Sequence, residues 1–197
     1  MNDHNVIAIC ETLIAPAIDG TDHENLLLAI ECIGLLTILD KQVFMNYSEI
    51  FRQILTEEVS IENKREKVIA IKSVVDGLIV HGICDQKSQE LFDLITGTFL
   101  TIKEKVLRQV SIEGVCKMLF STKLCDENNK QHVESILAQL IFQLFDKKYN
   151  FQNSLVRSIL TVFFRNFVLF SEARCFLMLN AVTKVIYSII RSKFGLK

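Results

Sequence analysis

Apolar residues recur along almost the whole chain at spacings of three and four, the period of an amphipathic helix and not the alternation of a strand. The pattern predicts helices over 3–18, 22–39, 41–56, 62–82, 86–100, 102–122, 130–147, 151–170 and 172–195. Connections are short and polar, the longest being Asp126-Glu127-Asn128-Asn129. Two helix starts carry a capping-box pattern, Thr21 with Glu24 and Thr101 with Glu104. Ser60 is the candidate N-cap of the helix over 62–82. The predicted fold class is all-α.

A short pattern returns along these helices at a set interval. Ala29-Ile30-Glu31-Cys32-Ile33 is followed 41 residues on by Ala70-Ile71-Lys72-Ser73-Val74, and 41 further by Ser111-Ile112-Glu113-Gly114-Val115. The fourth copy, Ser158-Ile159-Leu160-Thr161-Val162, comes after 47, the excess fitting the loop from Asp126 to Gln131. Small residues three apart share a helix face and let a neighbouring helix approach, with Ile and Val filling the space beside them. A period near 40 with two helices per unit marks a HEAT-type α-solenoid.

The expected organisation is a single HEAT-repeat segment, 1–197. Its helix pairs are 3–39, 41–82, 86–122 and 130–170, with a terminal helix at 172–195. Helices 22–39, 62–82, 102–122 and 151–170 are expected to line the concave face. The terminal helix is apolar round most of its circumference, from Phe176, Leu177 and Leu179 to Ile189 and Ile190. The free end of a solenoid has a polar outer face, so the expectation is a piece of a longer array or an end covered by a partner.

Composition narrows the function. Half of the 197 residues are hydrophobic, and there are seven glycines and one proline, which excludes a disordered chain and an all-β fold. A net charge of −1 excludes a globally basic nucleic-acid binder, so any such role rests on a local patch. Two inner helices open with such patches, Lys64, Arg65 and Lys67, then Lys103, Lys105 and Arg108. In repeat register they sit at equivalent heights on adjacent units, a basic stripe able to meet phosphates without reading sequence. The competing reading is a solvated face, because Glu62, Glu66 and Glu104 interleave and pair at helical spacing. Arg157, Arg165 and Arg174 either extend the stripe or serve the structure.

Reactive chemistry is sparse. Cys10, Cys32, Cys84, Cys116, Cys125 and Cys175 show no metal-ligand spacing and read as small buried hydrophobes in a reducing compartment. His81, at the end of an inner helix, reads as a partner for exposed terminal carbonyls. Gly77 and Gly97 read as packing positions. No phosphate loop and no nucleophile with a base occurs. The expectation is no enzyme, no catalytic or metal site, no cofactor and no small-molecule substrate. The first ten residues have no basic n-region, and no run reaches the roughly 18 uncharged apolar residues of a membrane span. A soluble chain without a membrane partner is expected.

Three stretches carry a resemblance to a known family. Leu27-Leu28-Ala29-Ile30-Glu31-Cys32-Ile33-Gly34-Leu35-Leu36-Thr37-Ile38-Leu39-Asp40-Lys41 is one. Val110-Ser111-Ile112-Glu113-Gly114-Val115-Cys116-Lys117-Met118-Leu119 is the second, and Val156-Arg157-Ser158-Ile159-Leu160-Thr161-Val162-Phe163-Phe164 the third. In this order they resemble the HEAT-repeat subunit of condensin, of the subunit 3 or CAP-G type. Arg165 stands where that family has proline, so the helix is expected to run on. The resemblance implies a non-catalytic subunit that binds a segment of the kleisin subunit and contributes to double-stranded DNA binding. Other condensin subunits are partners through the complex, and the ATPase belongs to them. It further implies the nucleus and chromosome as location, with the cytoplasm as well. DNA contacts are carried over to Lys64, Arg65, Lys67, Lys103, Lys105 and Arg108. The alternative function is a HEAT- or armadillo-like adaptor or transport scaffold that binds only protein.

Overall fold

The computed structural model describes residues 8–18, 20, 22–121, 130–145 and 154–194. The chain enters through a π-helical turn, Cys10–Ile14, running into a short α-helix, Ala15–Ile18 (α1). The wider turn stands just before Pro16, whose missing amide and ring exclude an ordinary helical bond there. Then follow α2 (His23–Leu39), α3 (Lys41–Thr56), α4 (Lys64–His81), α5 (Gln86–Thr101), α6 (Lys105–Phe120), α7 (Lys130–Phe145), α8 (Ser154–Phe170) and α9 (Glu172–Phe194). Among the described residues there is no strand, and the all-α expectation holds. As expected from Arg165, α8 continues through that position. Thr21 and the loop after Cys125 lie outside the described residues.

Local chemistry sets the helix ends. Asp40 is the whole connection between α2 and α3. Its amide closes α2 on the Leu36 carbonyl at 3.0 Å, and its carboxylate accepts from the Gln42 and Val43 amides at 2.7 and 3.4 Å. Asp40→Ala is expected to cost about 1 kcal/mol, and Asp40→Asn far less, by urea denaturation. Two starts fall later than the pattern suggests. Ser60 and Asn63 bond each other's amides reciprocally, at 2.9 and 3.1 Å, so the box closes one turn ahead of α4. Thr101 ends α5 and is not the cap of α6; Glu104 is, accepting from the Leu107 amide at 2.7 Å. Gly82 stops α4 with φ 75°, in the left-handed region that glycine enters without strain.

The chain divides into two compact units, Met1–Met118 and Leu119–Lys197. In the first, α2 packs on α4 and α4 on α6, while α3 and α5 cover them from one side. The 41-residue recurrence is a real packing period here. A Cβ placed on Gly34 of α2 would overlap the Ser73 side chain of α4, its Cβ only 2.9 Å away. One period on, a Cβ on Gly114 of α6 would meet Val75 of α4 at 2.6 Å. Positions 34 and 75 are equivalent, as are 73 and 114, so both crossings use the same pair of sites. Each crossing has one glycine, and the backbones close on it. Gly77 is likewise a packing position, under the Phe44 ring at 2.6 Å. Gly97 is not, since a Cβ there meets nothing within 4 Å.

In the second unit α7 packs on α9, and α8 on both. Phe120, Phe163, Phe167 and Phe170 form an aromatic cluster, with Phe120 edge-on to Phe163 at 5.4 Å. Arg174 lies buried against it, 3.9 Å from the Phe170 ring centre, and donates to the Phe120 carbonyl at 2.8 Å. It is therefore structural and extends no stripe. The fourth repeat copy keeps Leu160 inside but leaves Ser158 and Val162 exposed, unlike the buried equivalents in the first three copies.

Helix α9 departs from expectation in one respect. Glu172–Lys193, at mean hydropathy 1.4, is long and apolar enough to cross a membrane by length and composition alone. Yet Leu177, Met178, Ala181 and Val185 are buried within the unit. Lys184 is also paired at 2.6 Å to the Glu134 carboxylate of α7, which Asn180 bonds as well. Phe176, Leu179, Ile186, Ile189 and Ile190 remain exposed.

Candidate ligand-binding edge

The N-terminal ends of α2, α4 and α6 carry the charges that the pattern singled out, and the tertiary contacts sort them. Lys64 of α4 pairs with Glu104, the cap of α6, at 2.6 Å, and Arg65 pairs with Glu24 of α2 at 3.4 Å. His23 of α2 meets Glu66 of α4 at 3.2 Å. Glu66 and Glu104 of that reading, and Glu24 with them, thus pair between neighbouring repeats and not along one helix. Glu24 and Arg65 are separated by one repeat interval, the only signal in the sequence that pointed to this ladder. Burial alone would raise the Glu104 carboxyl. The Lys64 ammonium and the Leu107 and Val106 amides outweigh it and hold the group below the ordinary carboxylate range.

Four of the six expected stripe residues reach the surface: Lys64 partly, and Arg65, Lys103 and Lys105 openly. The other two do not. Lys67 is 2% exposed, and its ammonium donates to the carbonyls of Ile54 and Glu57, the latter at 2.8 Å. Ile54 lies in the last turn of α3, so Lys67 satisfies a carbonyl that the helix itself leaves without a partner. Burial lowers its affinity for a proton, opposed by Glu57 and Glu66. Arg108 is 9% exposed. Neither side chain is open at the surface as the expected stripe required. His81 performs the expected carbonyl role, but on a different helix. Its Nε2 sits 2.6 Å from the Thr37 carbonyl in the last turn of α2, and its ring stacks on Phe44.

Beside the ladder, α4 and α6 enclose a groove of about 260 Å³ lined by Lys72, Asp76, Glu113 and Lys117 among others. Its charges alternate in sign, with Lys117 and Glu113 paired at 2.8 Å. Among the described residues no group of His, Cys, Asp and Glu is arranged to hold a metal. The described cysteines are free thiols, but only Cys10 and Cys116 are buried. Cys84 is half-buried, and Cys32 and Cys175 are exposed, because their helix faces have no neighbour; Cys125 lies outside the described residues. Burial pushes the Cys116 thiol well up, away from reactivity.

Repeated helix pairs whose inner-helix starts are joined by ion pairs are what the described residues show. No curated protein and no solved structure matches the chain. A family model does, described as "Nuclear condensing complex subunits, C-term domain" (Cnd3), and it matches residues 1–197. The all-α HEAT-type architecture agrees with it, and the chain belongs to the family of nuclear condensin complex subunits.

Proposed function

We propose that this condensin subunit is a non-catalytic HEAT-type scaffold whose 197 residues act as one segment, binding a kleisin segment and contributing to double-stranded DNA binding. What supports the DNA reading is that Lys64, Arg65, Lys103 and Lys105 all reach the surface at the starts of adjacent inner helices, which the Lys64–Glu104 pair joins. Arg65 and Glu24 are 69% and 71% exposed, so their pair is weak and exchanges readily for a phosphate. The exposed apolar residues of α9 support a protein ligand as well. Membership of a nuclear complex supports work on the chromosome.

Lys103→Glu with Lys105→Glu is expected to weaken binding to duplex DNA about tenfold or more at low salt. It should also flatten the slope of log affinity against log salt by about two, equally for unrelated sequences. Fluorescence anisotropy over a salt series reads both quantities. A variant that binds like the parent removes the DNA role. Co-expression with the kleisin's central segment tests the protein ligand. Failure to co-purify leaves the protein-only adaptor, with a different ligand, as the reading.

A further inference from the structure

Helix α9 has two apolar faces, and the fold of its own unit uses one. Leu177, Met178, Ala181 and Val185 are buried, on the side where α9 packs on α7 and α8. On the other side Phe176, Leu179, Thr183, Ile186 and Ile190 are all exposed. They follow one another at intervals of 3, 4, 3 and 4 residues, the spacing of a coiled-coil seam. At the rise of an α-helix this stripe is about 21 Å long. Its one polar member adds no penalty on contact, because the Thr183 hydroxyl already donates to the Leu179 carbonyl at 2.9 Å.

Two further features choose the occupant. The repeat crossings of the first unit each close on a glycine, Gly34 or Gly114. Helix α9 has no glycine, and its stripe carries large side chains, which suits interlocking along a seam and not another crossing of that kind. The ends of α9 are opposite in charge, with Glu172 in the first turn and Arg191 and Lys193 in the last. Phe176 and Leu179 on one side of Thr183 are matched by Ile186 and Ile190 on the other, so the stripe complements itself when turned end over end. We propose that α9 pairs antiparallel with α9 of a second copy of this chain, the two-fold axis passing near Thr183. The acidic start of each helix then lies beside the basic end of the other, and the helix dipoles oppose. A parallel pair would set like charges together at both ends. The contact is isologous and closes at two copies. It is separate from the DNA reading, which concerns the starts of α4 and α6.

The test uses the whole chain. Sedimentation velocity over a concentration series is expected to show one copy giving way to two in the micromolar range, with no larger species. Leu179→Glu with Ile186→Glu is expected to weaken this association about tenfold or more, since it sets like charges across an apolar seam. Both positions are exposed, so an unchanged urea midpoint shows that the variant still folds. A charge pair reads the direction. Leu179→Glu and Ile186→Lys should each associate weakly alone, and about tenfold or more tightly when mixed. A chain that stays single at every concentration overturns the proposal, and so does unchanged association of the double variant. Growth past two copies overturns it too, because an isologous contact closes. A mixture no tighter than its separate parts overturns the antiparallel pairing. A single chain that takes up the kleisin's central segment through Leu179 and Ile186 assigns the face to that ligand and overturns the second copy.

Discussion

Gly34→Val is expected to destabilise the first unit by about 3 kcal/mol, and Ser73→Gly in the same chain to recover a large part of that loss. The Ser73 Cβ lies 2.9 Å from where a Cβ on Gly34 would stand, inside any tolerable carbon contact. Rotating the hydroxyl does not relieve this, because the obstruction is at the Cβ itself. The two helices must separate, and the packed residues beside the crossing, Ile30, Ile33, Ile71 and Val74, lose contact together. Ser73→Gly alone costs about 0.5–1 kcal/mol through helix entropy. The signature is therefore the coupling in a double-mutant cycle, read by urea denaturation. A coupling near zero would mean that positions 34 and 73 do not meet. The same cycle on Gly114 and Val75 should give a coupling of the same sign, since the crossing is equivalent.

Lys67→Met is expected to cost about 2–4 kcal/mol and leave the salt dependence of DNA binding unaltered. Methionine replaces the apolar stem at nearly equal length and removes only the ammonium. The Ile54 and Glu57 carbonyls then lose their charged donor, and the Ile54 carbonyl is buried at a helix end. Part of the loss is returned, because a buried ammonium carries its own desolvation cost. A midpoint shift of about 4–16 °C in a thermal melt corresponds to this range. Lys105→Met gives the opposite outcome, with little change in stability and weaker DNA binding. The pair separates a cation that holds the fold from one that faces a ligand. If Lys67→Met were neutral for stability and weakened DNA binding, the sorting of the stripe would be wrong.

The apolar period determined the helices and the recurrence determined which of them are equivalent, because both are written in single positions that each helix face must satisfy. Small residues at 34, 73 and 114 announce close backbones wherever the partner helix lies. Basic residues carry no such information. The patches at 64–67 and 103–108 look alike in sequence, yet Lys67 and Arg108 are buried while Lys103 and Lys105 face out. What decides is where α3 ends. Its last turn exposes carbonyls beside the first turn of α4, and a long flexible ammonium reaches back 13 residues to satisfy one. Arg174 does the same for the last carbonyl of α6, and His81 for the last turn of α2. Cys32 and Cys175 illustrate the converse. Their apolar neighbours suggested burial, but a helical face is buried only where another helix arrives. Local pattern thus decides which surfaces want a partner, whereas the tertiary structure decides which of them have one.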